Sequence, residues 1–270
     1  MPSEQPLARK VALVTGAGRG LGRAFAERLA GLGCAVVVHG MRENGPAEYG
    51  EGTTLTDTAR QISEQYGVQT LPVLGDLTRM DDVERVVATA GTLGPIHVLV
   101  HNAGGDIAHA GGRPEPNDAV MVQELDVRAV IERNLLSTIF TCQHVARGMM
   151  ERRAGRIVTI SSIAAYGGRP NGVIYATAKA GVVQYTRCLA AQLRPYDVTV
   201  NGIAPGDTRT GRYLNTRAVD QARMLEGGTL DRIALVDEVA RGIEFFAGPL
   251  GDFVTGQIMR IDGGTQCWPA

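Results

Sequence analysis

A short apolar run that ends in a glycine-rich turn constrains the fold of this chain more than any other feature. The run 11–14 is apolar and partly β-branched, and it leads directly into Thr15-Gly16-Ala17-Gly18-Arg19-Gly20-Leu21-Gly22. Apolar residues then recur at helical spacing up to Leu29, and a second apolar run covers 35–38. This order predicts a βαβ unit whose glycines let the backbone approach a ligand and whose helix start favours a pyrophosphate.

The glycine turn alone is weak evidence for a nucleotide site, because loops after strands often carry glycine for geometric reasons. The strand-turn-helix-strand context favours a dinucleotide. At the end of the second strand a Rossmann unit usually has an acidic residue for the adenosine ribose, whereas this chain has Gly40. Without that carboxylate a 2′-phosphate is not repelled, and Arg19 and Arg42 could both reach it. We therefore expect NADP(H) to be preferred and NAD(H) to be possible, unless both arginines are solvated surface charges.

The rest of the chain alternates apolar runs typical of buried strands with stretches of helical periodicity. Strands are expected at about 70–74, 96–100, 155–161, 198–203 and 257–261, and helices at about 53–66, 125–151, 174–193 and 236–247. The alternation predicts an α/β fold: a Rossmann-like, doubly wound, mostly parallel sheet with helices on both faces, in a single domain over 1–270. Asp76, at the end of the third strand, either accepts from an adenine amino group or caps a helix that begins near Met80.

A second group of polar residues lies in the stretch 162–179. Lys179 follows Tyr175 by one helical turn, so on a helix the phenol and the ammonium lie on one face. An adjacent cation favours the phenolate and would bring the pKa of the phenol toward neutral pH, while the Ser162 hydroxyl could hold a substrate oxygen. Asn134 lies among apolar residues of the predicted 125–151 helix, either as a structural hydrogen-bonding group or as part of a proton path.

Two segments without a sustained apolar pattern are expected to flank this site. Residues 106–123, which contain Gly111-Gly112 and two prolines, are predicted to form a loop at its mouth. Residues 207–229 carry several arginines and are predicted to form a mobile substrate lid. Arg209 and Arg212 on this lid either attract an acidic substrate or are solvated.

Composition limits the partners that the chain is expected to bind. The formal net charge of −1 and the pI near 6.5 provide no basic surface for nucleic acid or for an anionic membrane. The cysteines are far apart and the histidines show no metal-ligand spacing, so neither a disulfide framework nor a metal site is expected. The opening residues 1–6 lack an apolar signal region, and no apolar run has the length of a membrane span. We therefore expect a cytoplasmic protein.

In combination, these motifs resemble the classical short-chain dehydrogenases/reductases over about residues 10–264, and in particular their oxoacyl-carrier-protein-reductase-like branch. The resemblance is carried by the glycine turn, by Asn102-Ala103-Gly104, by Pro205-Gly206 with Thr210, and by Asn134, Ser162, Tyr175 and Lys179 in the positions of the catalytic tetrad. It implies a seven-stranded sheet and a set of cofactor-binding residues: Gly16, Arg19, Gly20, Leu21, Gly22, His39, Arg42, Asp76, Leu77, Asn102, Ala103, Gly104, Tyr175, Lys179, Pro205, Gly206 and Thr208.

The resemblance also implies a role for each member of the tetrad. Tyr175 would be the general acid/base, and Lys179 would bind the nicotinamide ribose and lower the pKa of the tyrosine. Ser162 would orient the substrate oxygen, and Asn134 would hold a water that relays protons. Three departures from the family pattern bear on substrate and cofactor preference: a long loop between Asn102 and Asn134, His101 in place of a frequent asparagine, and Met41 where NADP-specific relatives often have arginine.

The activity implied by the resemblance is an NADP(H)-dependent interconversion of a ketone and a secondary alcohol by hydride transfer. The substrate would be a small molecule, and the chain would assemble as a homotetramer, or as a dimer, through the helices that contain Asn134 and Tyr175. Two other functions are weighed against it. A non-catalytic cofactor-sensing regulatory protein would not need an intact acid/base set, and an epimerase or dehydratase with retained cofactor would generally carry an added C-terminal substrate domain.

Overall fold

The computed structural model describes residues 5–267, and residues 1–4 and 268–270 lie outside the described part. Seven strands are present in this part: β1 Val11–Thr15, β2 Ala35–Gly40, β3 Thr70–Leu74, β4 Ile96–His101, β5 Gly155–Ile160, β6 Val198–Pro205 and β7 Ile258–Ile261. The α-helices are α1 Gly20–Gly31, α2 Leu55–Tyr66, α3 Met80–Ala90, α4 Glu124–Ile131, α5 Ser137–Arg152, α6 Val173–Leu193, α7 Gly211–Thr216 and α8 Val236–Ala247.

The strands form one sheet in the order β3-β2-β1-β4-β5-β6-β7. Every neighbouring pair is parallel, so the sheet is parallel throughout. The chain builds outward from β1 to β3 and then crosses to β4 on the other side of β1. The strand order therefore reverses between β1 and β4, which is where open α/β sheets bind ligands. The predicted Rossmann-like class and single domain are confirmed.

Strand β1 is apolar at every position except Thr15 because both of its faces are covered. All five of its residues are buried, and successive side chains point to opposite faces of the sheet. Ala12 and Val14 pack in a cluster with residues of α1 and α8: Phe25, Leu29, Ile243 and Phe246. Val11 and Leu13 pack in a second cluster with residues of α3, α5 and α6: Val86, Val145, Met149 and Leu193. These two cores hold the carboxyl end of β1 in a fixed position.

Three segments differ from the pattern read from the sequence. The helix predicted over 125–151 is divided into α4 and α5 by one turn of π-helix at Glu132–Leu136. The polar loop after β2 contains a 3₁₀ turn at Gly45–Tyr49. The predicted lid contains α7 and a 3₁₀ turn at Gln221–Arg223. None of the helices within residues 5–267 has the length and apolar character that crossing a membrane requires.

Candidate active site

A cavity of about 790 Å³ opens at the carboxyl ends of the strands, around the point where the strand order reverses. All of the residues predicted to bind the cofactor line this cavity, and so does Ser162. Asn134 is the one member of the predicted tetrad that does not line the cavity. The cavity wall also includes part of the 106–123 loop and part of the lid, from Asp207 to Arg217.

The turn between β1 and α1 is closed by tight backbone contacts at two glycines. Gly16 has a φ of +63°, a conformation that side chains rarely adopt. A Cβ atom on Gly22 would lie 2.0 Å from the Gly16 carbonyl oxygen and 2.6 Å from Asn102 Nδ2. Only glycine therefore allows the first turn of α1 to approach the end of β1. The same amide nitrogen of Asn102 donates to the carbonyl oxygens of Thr15 and Gly16 at 3.3 Å and 3.2 Å.

Thr15 joins the ends of β1 and β4 across the reversal point. Its Oγ1 accepts hydrogen bonds from the N–H groups of Asn102 and Ala103, both at 3.0 Å, and lies 3.3 Å from His101 Nδ1. His101 is buried between Thr15 and Ser137, and burial lowers its pKa to about 3. A neutral imidazole thus occupies the last position of β4, directly before Asn102.

His39, at the end of β2, supports the glycine turn through backbone contacts. Its Nδ1 accepts from the Gly16 N–H at 3.3 Å, and its Nε2 donates to the Gly75 carbonyl oxygen at 3.0 Å. Burial lowers the pKa of His39 to about 4, so the neutral ring that these two bonds require is present at neutral pH. His39 lines the cavity, but both of its nitrogens are used to hold the turn against β2 and the segment after β3.

Asp76 does not cap α3, which removes one of its two predicted roles. The residue at the N-cap of α3 is Arg79, and the Asp76 carboxylate instead accepts from the backbone N–H of Thr78 at 3.1 Å and from its hydroxyl at 2.8 Å. These bonds close a short turn ahead of the helix. Leu77, the next residue, contributes a buried apolar side chain to the cavity wall.

The two arginines predicted for the adenosine end do converge, but a carboxylate lies between them. Glu48 Oε2 is 3.1 Å from Arg19 Nη1 and 3.1 Å from Arg42 Nη2. Arg19 also donates to the Gly45 carbonyl oxygen at 2.9 Å and stacks on Tyr49 at 4.4 Å from the ring centroid. The 3₁₀ turn after β2 therefore brings an acidic side chain to a position where the sequence suggested only cations.

A second carboxylate from the same loop lies at the N-terminus of α1. Glu51 Oε2 accepts from the Gly20 N–H at 2.5 Å, and its other carboxylate oxygen accepts from the Gly211 N–H at the start of α7. The N-cap residue Arg19 makes no capping bond with its own side chain, so Glu51 satisfies a helix donor from outside the helix. One side chain thus connects the glycine turn to the lid.

These features fit a dinucleotide. The first turn of α1 presents backbone N–H groups with no Cβ atom at Gly22 to obstruct an approaching phosphate, and an anion already accepts one of those donors. Two guanidinium groups lie at the adenosine end of the same cavity. Among residues 5–267, no group of three or more His, Cys, Asp or Glu side chains is placed to hold a metal ion.

At the opposite end of the cavity, Lys179 and Tyr175 project from α6. Lys179 is buried, and its Nζ donates to the Ile160 carbonyl oxygen at 2.7 Å and lies 5.7 Å from the centroid of the Tyr175 ring. Burial lowers the pKa of Lys179 to about 8. Ser162 follows the end of β5, and its Oγ accepts from the Ala164 N–H at 3.2 Å. The strand end and the helix thus bring the three side chains to one wall.

The expected lowering of the tyrosine pKa by Lys179 is absent. Burial raises the pKa of Tyr175 above its ordinary value, and the group that opposes this most is the Ser162 hydroxyl through a hydrogen bond, followed by Arg217 and Arg212. The ammonium of Lys179 is itself destabilised by burial and is directed to a backbone carbonyl. At neutral pH the Tyr175 phenol therefore carries its proton.

Asn134 lies in the π-helical turn, fully buried behind the cavity wall. Its Oδ1 accepts from the Gly105 N–H at 2.8 Å, and its Nδ2 donates to the carbonyl oxygens of Gly105 and Val130 at 2.9 Å and 2.8 Å. Both amide hydrogens are thus used within the protein. A Cβ atom on Gly104 would lie 2.6 Å from Asn134 Oδ1 and 3.5 Å from Lys179 Nζ, so this glycine allows the two side chains to lie close to the chain after β4.

The 106–123 loop is attached to the start of α6 by a buried carboxylate. Asp106 Oδ2 accepts from Arg113 at 3.1 Å and 2.9 Å and from Asn117 Nδ2 at 2.9 Å. The carbonyl oxygen of Asn117 in turn accepts from the Gly172 N–H at 2.8 Å, one residue before α6. This network forms the wall of the cavity beside the helix that carries Tyr175.

The two lid arginines that the sequence grouped together point in different directions. Arg209 donates to the Leu225 carbonyl oxygen at 3.0 Å and lies 3.9 Å from Glu226, outside the cavity lining. Arg212 lines the cavity and donates to the Asp106 carbonyl oxygen at 2.7 Å. The backbone at the start of the lid is held locally, since Thr208 Oγ1 donates to the Gly206 carbonyl oxygen at 3.0 Å.

Several cavity residues were not singled out from the sequence. These are Glu48, Glu51, Asp106, Arg113 and Arg217. None of them belongs to a motif with fixed spacing, and each lies in a polar segment that has no periodicity. The one available signal was the charge content of three segments, the loop after β2, the 106–123 loop and the lid, and it does not indicate which side chains turn inward.

The chain is similar to known proteins over nearly its whole length. A family model for short chain dehydrogenases matches residues 10–220. The cyclohexanol dehydrogenase of Rhodococcus sp. (strain TK6) is 39% identical over 274 residues, which cover 98% of this chain and 98% of that protein. A 3-oxoacyl-[acyl-carrier-protein] reductase of Aquifex aeolicus (strain VF5) is 32% identical, with 97% of this chain and 99% of that protein covered.

A solved structure shares the fold as well. A 7α-hydroxysteroid dehydrogenase in complex with NADH and 7-oxo glycochenodeoxycholic acid superposes with a TM-score of 0.82 at 28% identity, with 97% of this chain and 96% of that chain covered. The family model extends over the glycine turn and the tetrad positions, and the relatives and the solved structure each cover at least 97% of this chain. The chain belongs to the classical short-chain dehydrogenases/reductases, oxidoreductases that act on CH–OH and C=O groups with a nicotinamide cofactor, and within them to the oxoacyl-carrier-protein-reductase-like branch.

Proposed function

We propose that this protein interconverts a ketone and a secondary alcohol, with NADP(H) as the preferred cofactor. The observation that carries the proposal is the single cavity that contains both the glycine turn and the wall formed by Ser162, Tyr175 and Lys179. A dinucleotide held at one end of this cavity would have its other end beside a proton donor. The nicotinamide ring supplies or takes up the hydride when the cofactor is bound.

The residues at the catalytic wall account for the proton and for the developing charge. In reduction, the Tyr175 phenol donates its proton to the carbonyl oxygen, and its raised pKa keeps it in the protonated form that this step needs. The Ser162 hydroxyl donates a hydrogen bond to the same oxygen and stabilises the negative charge that forms there. Lys179 would bind the nicotinamide ribose, and Asn134 would support a proton-relaying water through the free lone pair of its Oδ1.

The preference for NADP(H) rests on Arg19 and Arg42 at the adenosine end. Two guanidinium groups within reach of one point favour a phosphate over a hydroxyl. Gly40, at the end of β2, brings no carboxylate to the ribose, and the acidic group that lies between the two arginines is Glu48. A 2′-phosphate would take the place of the Glu48 carboxylate between the arginines.

The remaining parts of the proposal concern the context in which the enzyme acts. We infer a small carbonyl or alcohol substrate, a cytoplasmic location, and a homotetramer, or a dimer, formed through the helical face that contains α4, α5 and α6. Nucleic acid and membranes are not proposed as partners, because the net charge of −1 provides no basic surface for either.

Replacing Tyr175 with Phe tests the proposal, because it removes the proton donor and leaves the ring. We expect kcat for ketone reduction to fall by at least about a hundredfold, while the dissociation constant for NADPH, measured by nicotinamide fluorescence, changes little. Tyr185→Phe is the matched control, since Tyr185 lies on the same helix and donates only to the Ile139 carbonyl oxygen. Activity of Tyr175→Phe close to that of the control would refute the assignment.

A further inference from the structure

The guanidinium of Arg212 is enclosed at the catalytic end of the cavity without a carboxylate partner among residues 5–267. Its Nη2 donates to the carbonyl oxygen of Asp106, and its remaining donors have no acceptor in the described part of the chain. Burial lowers the pKa of Arg212, which reflects the cost of holding this cation away from water. A partly desolvated cation with free donors is stabilised by an anion that takes those hydrogen bonds.

The backbone beside Arg212 is shaped to admit its guanidinium. A Cβ atom on Gly105 would lie 1.9 Å from Arg212 Nη1, so no other residue type could stand there with the arginine in place. The N–H and carbonyl groups of this same glycine are bonded to Asn134. The charge of Arg212 also opposes the rise in the pKa of Tyr175 that burial causes. The free guanidinium donors are therefore next to the proposed reaction centre.

The wall around Arg212 has an excess of positive charge. Asp106 lies on the same wall, and its Oδ2 is engaged by Arg113 and Asn117, whereas its Oδ1 is buried without a hydrogen-bond partner in the described part of the chain. Four arginines that line this end of the cavity form no ion pair with a carboxylate in the part of the chain that the structure describes: Arg133, Arg169, Arg212 and Arg217. Arg209, by contrast, is turned away and faces Glu226. The site thus contains cationic groups that form no ion pair with any carboxylate of residues 5–267.

From this geometry we infer that the substrate is an oxo acid, or the corresponding hydroxy acid, whose carboxylate is bound by Arg212. The inference rests on the proposed ketone reductase function and specifies its substrate class. In reduction, the ketone carbon would take up a hydride that the reduced nicotinamide cofactor supplies when bound, and Tyr175 would deliver the proton to the oxygen. The carboxylate is unchanged by the reaction and fixes the position of the ketone.

A matched pair of substrates separates the charge of the ligand from its shape. Acetoacetate and levulinate are compared with their methyl esters, with NADPH as the reductant. We expect kcat/KM of the wild-type protein to be at least about tenfold higher for an acid than for its ester, since a hydrogen bond to a charged group is stronger than one between neutral groups. Arg212→Gln should lower this acid-to-ester ratio by at least about tenfold, and Arg212→Lys should retain part of it.

Arg209→Gln is the matched control on the same lid, and we expect it to keep the wild-type ratio because Arg209 does not line the cavity. Three outcomes would overturn the inference: equal kcat/KM for acids and esters in the wild-type protein, an equal loss for both in Arg212→Gln, or an acid preference that persists in Arg212→Gln while NADPH binding weakens. The last result would assign Arg212 to a cofactor phosphate.

A binding measurement distinguishes failure of the inference from failure of the proposed function. The NADPH complex of Tyr175→Phe is titrated with each acid and each ester, with nicotinamide fluorescence as the readout, and the titration is repeated in Tyr175→Phe/Arg212→Gln. Binding of the acids that is tighter than binding of the esters, and that depends on Arg212, supports the inference. It does so even if the wild-type protein reduces neither the acids nor the esters. A lack of reduction would count only against the proposed ketone reduction. Equal binding of acids and esters overturns the inference whatever the turnover.

Discussion

Glu48 is the residue whose charge most directly opposes binding of a 2′-phosphate. Its carboxylate contacts both Arg19 and Arg42, and all three side chains are partly exposed, so water screens these contacts. A phosphate at the same position would have to displace the carboxylate or bind against its charge. The strength of the proposed NADP(H) preference would therefore depend on three residues, of which the sequence suggested two.

Replacing Glu48 with Gln should increase the use of NADPH. We expect kcat/KM for NADPH to rise by about fivefold, because a glutamine keeps the size of the side chain but leaves both guanidinium groups without a competing carboxylate. The kcat/KM for NADH, measured under the same conditions, should change less. Glu64→Gln removes a comparable exposed pair with Arg60 far from the cavity and serves as the control. A fall in kcat/KM for NADPH would show that Glu48 assists the cofactor.

The difference between Arg19 and Glu48 shows what sequence can reveal at single positions. Arg19 lies inside a turn whose glycines fix its geometry, so its location followed from the motif. Glu48 reaches the cavity because a 3₁₀ turn folds the loop after β2 back over the adenosine end. The side chain of an aperiodic loop residue is positioned by contacts with distant parts of the chain, and these contacts have no local pattern.

Among the elements, α1 depends most on a single missing side chain. Its first turn approaches β1 so closely that a Cβ atom on Gly22 would meet the Gly16 carbonyl oxygen at 2.0 Å. Helix propensity alone would favour alanine over glycine inside a helix by about 1 kcal/mol. The close contact outweighs this preference, because the backbone oxygen has no room to move away.

Gly22→Ala should therefore weaken cofactor binding although it introduces a better helix former. We expect the dissociation constant for NADPH to rise at least about tenfold and the free energy of unfolding to fall by about 1–3 kcal/mol, as in other overpacked sites. Fluorescence titration and urea denaturation measure the two effects. Gly91→Ala is the control, since a Cβ atom there would meet nothing within 4 Å. Wild-type affinity in Gly22→Ala would mean that the helix can shift without cost.

The elements differ in how far their periodicity predicts them. Strand β1 and helix α6 were predicted to within a residue, because continuous apolar runs and helical spacing reflect burial directly. The π-helical turn at Glu132–Leu136 was missed, since one extra residue in a turn hardly alters a 3.6-residue apolar pattern. Asn134 was nevertheless identified in that turn, because a buried amide among apolar residues must have hydrogen-bonding partners.

The stability of the whole molecule depends on two imidazoles that remain neutral inside it. Burial lowers the pKa of His39 to about 4 and that of His101 to about 3, whereas each has an ordinary value of 6.5 in the unfolded chain. Below pH 6.5 the unfolded chain binds protons that the folded protein does not. The contribution of both groups to stability is thus complete above pH 6.5 and is lost as the pH falls toward their folded values.

We expect acid to destabilise the wild-type protein in this range and His101→Asn to reduce the effect. Between pH 7 and pH 5, each buried histidine should account for a loss of about 2 kcal/mol in the free energy of unfolding. The change in the free energy of unfolding between pH 7 and pH 5, measured by urea denaturation, should therefore be about 2 kcal/mol smaller in His101→Asn. An unchanged difference would show that His101 takes up a proton in the folded protein.

At the scale of the whole molecule, the sequence predicts more of the structure than it does for single elements or residues. The order of elements, the parallel sheet and the position of the cavity all follow from rules of chain connection that hold for any α/β sheet. The attachment of the 106–123 loop to α6 through Asp106 and Asn117 did not follow, because it depends on a hydrogen-bond network between segments far apart in the chain.

The carboxylate of Glu51 is a counter-charge that the glycine turn and the lid share. Its oxygens satisfy the Gly20 N–H at the start of α1 and the Gly211 N–H at the start of the lid helix. An anion that takes over the donor at Gly20 has to displace Oε2 of the carboxylate whose other oxygen holds α7, so its binding is coupled to the contact between Glu51 and the lid. By thermodynamic reciprocity, a lid that has already moved away leaves the glycine turn with a higher affinity for that anion.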